Sequence, residues 1–310
     1  MKQIARKSYK RPAFTIVELL TVMSIIIVLI GLLVPALNRV RRYAKLVKQK
    51  AQFHSIGVAL DLFNAEYDGY PDSNGIDEAG LPYCGAMKLC EAMVGQDLKG
   101  FHPNSRFNRA GFSLPAGPAT LYPPTNWPNP AAYIDNLRAR KMYLQLENVN
   151  AFSLDRIYQS YCYRPGQCYD PNTFVLCDVY ARVNNKETGK KIGMPILYYR
   201  ADTTKTGHPL PGLVPQVSLG TYIYDVRDNQ GLIDLGLPWA PTYMQPMGST
   251  GGTTSSGMTV LDWPRLFYDK TRNLRIPSAD RPFREDSYIL LSAGFDGEYG
   301  TADDVYNFGE

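Results

Sequence analysis

Glu18 is the residue whose chemistry stands out first. It sits near the start of residues 13–37, AFTIVELLTVMSIIIVLIGLLVPAL, a run otherwise apolar or weakly polar. An unpaired carboxylate inside lipid is costly, so a charge kept there points to a partner of opposite sign. The plainer reading is a carboxylate that snorkels to the headgroups. A second group of acids stands near the C-terminus, where Asp296, Asp303 and Asp304 lie among Gly294, Gly297 and Gly300. Hard cations such as Ca²⁺ take six to eight oxygens from carboxylates and backbone carbonyls. The spacing is not that of an EF-hand. Taken alone the segment reads as an acidic turn, since Asp and Gly are ordinary turn formers.

Five cysteines, at 84, 90, 162, 168 and 177, make no C-x-x-C pair, which argues against a zinc ribbon or a thioredoxin-type site. In an exported chain disulfides are permitted, and Cys84–Cys90 and Cys162–Cys168 would each close a short loop of equal spacing. Cys177, in an apolar stretch, is then a buried thiol. The three histidines, His54, His102 and His208, fall on a helix, a loop and a Gly-His-Pro turn. No nucleophile elbow, H-E-x-x-H or phosphate loop occurs, so an enzyme is not expected.

The elements that must position these groups follow from the pattern. As a helix, residues 13–37 rise about 37 Å, enough to cross the hydrocarbon of a bilayer. Ahead of them Lys2, Arg6, Lys7, Lys10 and Arg11 form a leader without an acid, which keeps that end cytoplasmic and exports the rest. A secretory signal peptide has the same outline. Its apolar region is shorter, however, and ends in a small-residue site that Val34-Pro35-Ala36 matches poorly. Pro35 removes one backbone hydrogen bond and predicts a kink or loosening of the helix. Beyond it Val40, Ala44, Val47, Ala51, Ile56, Leu60 and Phe63 recur at helical spacing, and Gly69 and Pro71 stop the helix near Tyr67. Arg39, Arg41, Arg42, Lys45, Lys48 and Lys50 crowd the start of this extension, where a positive-inside count would not place them.

Residues 72–170 are rich in Gly, Pro, Asn and Tyr, with short helices expected around 79–98 and 131–146. Trp127 stands among prolines, on which it packs unless it stacks on a sugar or another protein. Strand-like runs follow at 173–183, 195–200, 220–226 and 287–293, as in an antiparallel sheet. Residues 184–189 read as a hairpin turn and 248–257 as a flexible surface loop. Of 33 basic and 29 acidic residues, five basic ones belong to the leader. The remainder is balanced and lends nucleic-acid binding no support.

Ala13-Phe14-Thr15-Ile16-Val17-Glu18 resembles the processing site of type IV prepilins: a small residue, then Phe, then a carboxylate four residues on, inside an apolar run. The resemblance implies cleavage between Ala13 and Phe14 by a prepilin peptidase, methylation of the new amine, and a filament in which Glu18 pairs with the N-terminal amine of a neighbouring copy. Ala13 departs from the family, which usually has Gly there. A buried carboxylate–ammonium pair is weak glue but a good register mark, because docking one step out strands both charges. The end of the long helix, from Ala59-Leu60 to Glu66-Tyr67-Asp68-Gly69-Tyr70-Pro71, and the acidic C-terminal segment resemble the major pseudopilin of type II secretion. That likeness implies a Ca²⁺ loop at 292–304, with Asp296, Asp303 and Asp304 as side-chain ligands and Ala293 and Thr301 as carbonyl donors.

The fold expected from these resemblances is α+β and pilin-like. A leader at 1–13 is removed, 14–37 is the membrane and assembly helix with its break at Pro35, and 38–70 is the amphipathic continuation. Residues 71–310 form a globular domain in which an antiparallel sheet packs on the helix beside a large loop-rich insertion. Implied partners are further copies of the chain, minor pilins or pseudopilins, the peptidase and an inner-membrane assembly platform. The chain would cross the inner membrane once, with its large domain in the periplasm or on an extracellular filament. A function of another class is a membrane-anchored adhesin or glycan-binding subunit at a filament tip. Glu18 favours the repeated subunit, since a tip member has no neighbour above to receive it.

Overall fold

The computed structural model describes residues 15–113, 119–145, 149–185, 187–210, 220–249, 251–257, 263–276 and 280–309. Ala13 and Phe14 therefore lie outside the described residues. The chain divides into two units, Met1–Lys45 and Leu46–Glu310.

Helix α1 spans Ile16–Tyr67. Within the first unit every described residue from Thr15 to Ala44 is exposed, the apolar ones included. Among the described residues this is the one helix long and apolar enough to cross a membrane. Ile16 is 77% and Leu32 71% exposed, a large apolar surface of the kind that marks a contact site. Pro35 lies inside the helix, whose hydrogen-bonded run continues past it. Four residues earlier, where the proline ring crowds a carbonyl, stands Gly31. It has no Cβ and nothing near it, so its peptide can tilt aside at little cost.

In the second unit α1 turns one face inward, burying Gln49, Phe53, Ile56, Ala59, Leu60 and Phe63. The expected stripe holds from Ile56 onward. Before it the inner positions belong to Phe53 and Gln49, while Val47 and Ala51 face out. The helix stops where Asp68 adopts a left-handed backbone, φ 52°, one residue before the glycine predicted to do so.

The remaining elements are short. In chain order they are α2 (Gly85–Val94), β1 (Phe112–Ser113), β2 (Ala119–Thr120), α3 (Pro130–Ala139), β3 (Ala151–Ser153), α4 (Leu154–Ile157), β4 (Cys162–Arg164) and β5 (Gln167–Cys168). Then come β6 (Phe174–Leu176), β7 (Val183–Asn184), β8 (Lys191–Ile192), β9 (Leu197–Arg200), a 3₁₀ turn (Val226–Asn229), α5 (Gln230–Ile233), α6 (Trp263–Thr271), β10 (Tyr288–Ser292) and β11 (Val305–Tyr306). The largest sheet has the order β11-β10-β9, with both neighbours antiparallel to β10. The other strands form two-stranded sheets, β1-β2, β3-β6, β4-β5 and β7-β8. The protein is thus mixed α+β, as expected, with its antiparallel strands divided among several small sheets. Residues 220–226 form no strand: Tyr222 makes a single parallel bridge to Gly207. Residues 248–257 are also less free than their composition suggests. Ser249 is held by Asp234 at 2.7 Å, and Thr254 is buried.

Alternation along β9 and β10 divides the core into two. Tyr198, Tyr288 and Leu290 join Phe53, Leu60 and Phe63 of α1. Leu197, Tyr199, Ile289 and Leu291 join Phe267 and Tyr268 of α6, with Ile223, Leu232 and Ile233. The sheet is therefore covered on both faces. Helix α2 lies between these clusters and is buried along its whole length, Lys88 and Glu91 included. Its first residue has to be glycine, because a Cβ there would come within 2.3 Å of the Tyr198 carbonyl oxygen.

Cys162 and Cys168 face each other across the β4-β5 hairpin, Cα atoms 3.9 Å apart, and form a disulfide. The other expected bridge is absent, and Cys84 and Cys90 are free and buried. Cys84 caps α2 and Cys90 lies within it, so helical rise sets them about 9 Å apart along the axis, past the reach of a disulfide. Cys177 is likewise free and buried.

His208 shows how this core responds to acid. It is buried, and its Nε2–H donates to the Tyr268 carbonyl at 3.0 Å. Burial pushes its pKa down to about 4, so the native state holds the neutral ring. Its contribution is complete above the unfolded value near 6.5 and is lost as pH falls through about 4, up to about 3 kcal/mol. His208→Phe should flatten the melting temperature of the second unit between those pH values. An unchanged acid slope would assign the loss to other groups.

Candidate functional site

The residues singled out from the sequence fall in two places, one in each unit. At the start of α1, Thr15 precedes the first helical turn, and its hydroxyl oxygen accepts the Glu18 N–H at 3.2 Å. In return the Glu18 carboxylate accepts the Thr15 backbone N–H at 2.9 Å and the Thr15 hydroxyl at 2.8 Å. This is the reciprocal capping box T-x-x-E, which satisfies donors that a helix start would otherwise leave bare. Glu18 thus has a task within the single chain that the resemblance did not supply, although the spacing was visible. Further along, Thr21 and Ser24 turn their hydroxyls back onto the carbonyls of Glu18 and Thr21, at 3.0 and 2.8 Å. These small polar residues carry their own hydrogen-bond acceptors through the apolar stretch.

In the second unit residues 293–304 connect β10 to β11, whose register is Leu291 with Tyr306 and Ser292 with Val305. Gly294, at φ 66°, opens the turn, and a Cβ there would come within 2.1 Å of the Asp303 carbonyl oxygen. Asp303 closes the neck. Its Oδ2 accepts the N–H groups of Phe295 and Asp296 at 2.7 and 2.9 Å, and its Oδ1 accepts the Thr301 hydroxyl at 2.7 Å. Asp296 Oδ1 accepts the Glu298 N–H at 2.8 Å, and Asp304 Oδ2 accepts that of Gly300 at 2.9 Å. Tyr299 pins the loop to the rest of the unit, its N–H on Gln245 Oε1 at 3.0 Å and its hydroxyl on the Pro195 carbonyl.

The carboxylates crowd one another. Burial, and then the proton-sharing contact with Asp303, raises Asp296 to about 6. Burial works against charge on Asp303 as well, but the Thr301 hydroxyl, Asp296 and the loop N–H groups together hold its pKa below the usual value. Burial pushes Asp304 well up, and its Oδ1 has no hydrogen-bond partner. The structure thus brings Asp296 and Asp303 together, with Asp304 close enough to feel the charge of both while its carboxylate accepts from Gly300. Among the described residues no three His, Cys, Asp or Glu side chains converge as a metal centre. Ala293 is fully buried at the root of the loop, and the Thr301 hydroxyl also donates to the Glu298 carbonyl at 3.2 Å.

Sequence reasoning missed the polar cluster inside α2. The Glu91 carboxylate accepts from the Tyr83 and Ser105 hydroxyls, each at 2.5 Å, from Tyr122 at 2.9 Å and from Gln96 at 3.0 Å. It borders a pocket of about 200 Å³ that Asp97, Arg109 and Asn172 also line. Burial raises its pKa in spite of the four donors. With those four bonds made, Glu91 ties α2 to the loops around it. No sequence spacing announces this, because the donors sit at unrelated distances along the chain.

The chain matches no family model, and no curated protein or solved structure is significantly similar to it.

Proposed function

We propose that this chain is a structural subunit of a type IV pilus-like filament or a type II secretion pseudopilus, cleaved ahead of Phe14 and polymerising through its N-terminal helix. The observation that carries the reading is the make-up of α1. An exposed apolar stretch follows a basic leader and carries one carboxylate, Glu18, four residues after Phe14. A helix with so much apolar surface is stable in lipid or against copies of itself, and in water it would aggregate. The same carboxylate closes the helix end in the single chain and, in a filament, receives the Phe14 amine of a neighbour. A pilin-like fold agrees with the packing of residues 46–67 on the sheet β11-β10-β9 and with the loop joining the last two strands. Expression together with an assembly machine should yield sheared filaments, seen by electron microscopy, in which this chain is the repeating subunit. Recovery of the chain only as single copies in the membrane would remove the reading.

Calcium belongs to the same proposal. Asp296, Asp303 and Asp304 would hold the ion with the Ala293 and Thr301 carbonyls, and its charge would relieve the crowding of the three carboxylates. The unpartnered, buried Asp304 Oδ1 suits a hard cation better than it suits an empty interior. At calcium well above Kd, binding adds about 2.7 kcal/mol by mass action. EGTA should therefore lower the melting temperature of residues 46–310 by about 5 °C or more. Asp304→Asn should abolish that difference. An identical melting curve with and without EGTA would dismiss the calcium site and leave the filament reading standing.

A further inference from the structure

Arg39, Arg41, Arg42 and Lys45 follow the apolar stretch of α1 at once, and the sequence holds no acid between Glu18 and Asp61. At 1.5 Å per residue they lie about 3 to 12 Å along the axis beyond Leu37. That is the depth of the headgroup layer flanking a hydrocarbon core about 30 Å thick. At about 100° per residue the four positions spread over an arc of about 160° of the helix surface. Arg39, Arg41 and Arg42 are exposed, and Lys45 is partly so.

These charges stand on the side where juxtamembrane Lys and Arg are normally scarce. While the leader is attached, its five basic residues balance them from the cytoplasmic end. Once it is removed, the exported flank holds all the basic charge next to the span. A negatively charged lipid surface attracts such a flank within a Debye length. An arc of cations at headgroup depth complements that surface in charge and in position.

We propose that Arg39, Arg41, Arg42 and Lys45 bind anionic phospholipid headgroups in the leaflet on the exported side. This contact holds the processed anchor at its depth and in its orientation until the subunit enters a filament. The inference rests on the membrane reading of α1 given above and adds to it a lipid class and the residues that select it.

The test uses the processed chain, residues 14–310, reconstituted into phosphatidylcholine vesicles that carry a trace of spin-labelled phosphatidylglycerol or spin-labelled phosphatidylcholine. Electron paramagnetic resonance then reads the fraction of each probe that the protein restrains. Each Lys or Arg at an anionic surface changes partition about fivefold, so phosphatidylglycerol should be preferred by about fivefold or more. High salt should bring the preference close to parity. Arg39→Gln with Arg41→Gln, two exposed positions whose replacement leaves the folded unit untouched, should at least halve it. Equal restraint of both probes leaves the anchor in place and overturns the lipid assignment. If the same protein then binds duplex DNA in a salt-dependent way, the arc belongs to nucleic acid instead. Restraint of neither probe means that α1 is not in the bilayer, which overturns the membrane reading and this inference together.

Discussion

Glu18→Ala should cut the yield of sheared filaments by about tenfold or more, while cleavage ahead of Phe14 continues. The argument turns on what an uncompensated charge does in apolar surroundings. In the proposed filament, the Phe14 ammonium of each incoming copy would enter a bundle of apolar helices. It is tolerated there only where a carboxylate meets it. Alanine leaves every such amine unanswered, and no single stagger of subunits is then preferred. Glu18 also closes the capping box with Thr15, so a defect in alanine alone would be ambiguous. Glu18→Gln separates the two tasks. Glutamine accepts the same N-terminal hydrogen bond but carries no charge. Filament loss with glutamine would assign assembly to the charge. Normal filaments with glutamine would reduce Glu18 to a helix cap.

The second large effect is in the folded unit, where Asp72→Ala should lower stability by about 3 kcal/mol in urea unfolding. Lys88 lies in the middle of the buried helix α2, its side chain 2% exposed, and its ammonium donates to Asp72 Oδ2 at 2.6 Å and to the Ile76 carbonyl at 2.9 Å. Removing the carboxylate leaves the buried ammonium without its ion-pair partner, with the Ile76 carbonyl as its remaining acceptor and the buried Asp228 as its nearby acid. Asp72 is itself 30% exposed, which places the cost at the lower end of the range for buried pairs. Lys88→Met in the same chain should restore most of the loss, since an unbranched apolar side chain fills the same channel without a charge. A loss below about 1 kcal/mol for Asp72→Ala would mean that the pair behaves as a surface ion pair.

What could be read from the chain was what neighbouring residues decide among themselves. The apolar run, the stripe Ile56–Leu60–Phe63 and the strand runs around 195–200 and 287–293 all depend on local periodicity, and each marks an element. What could not be read depends on distant segments. Helix α2 was visible as a short helix within 79–98. Its burial on all sides was not, because the groups that satisfy Lys88 and Glu91 come from Asp72, Ser105 and Tyr122 in separate loops. The cysteines make the same point. Spacing is identical at 84–90 and 162–168, yet a hairpin brings one pair together and a helix holds the other apart. Residues 220–226 have strand composition but add no strand to β9, whose other edge is taken by side chains: Ser73 accepts the Arg200 N–H and Asn229 donates to the Tyr198 carbonyl. At the candidate sites, Asp296 and Asp303 meet as neighbours in a turn can. The burial of Asp304 and its bond to Gly300 depend on how the loop packs, which spacing does not encode.

The whole account hangs on what becomes of the first thirteen residues, and intact mass spectrometry of the protein isolated from its native envelope reads this directly. The account predicts a chain that begins at Phe14 and carries one added methyl group on its α-amine. A mature chain that begins at Met1, or one that begins near Asn38 after removal of the whole apolar stretch, would contradict it.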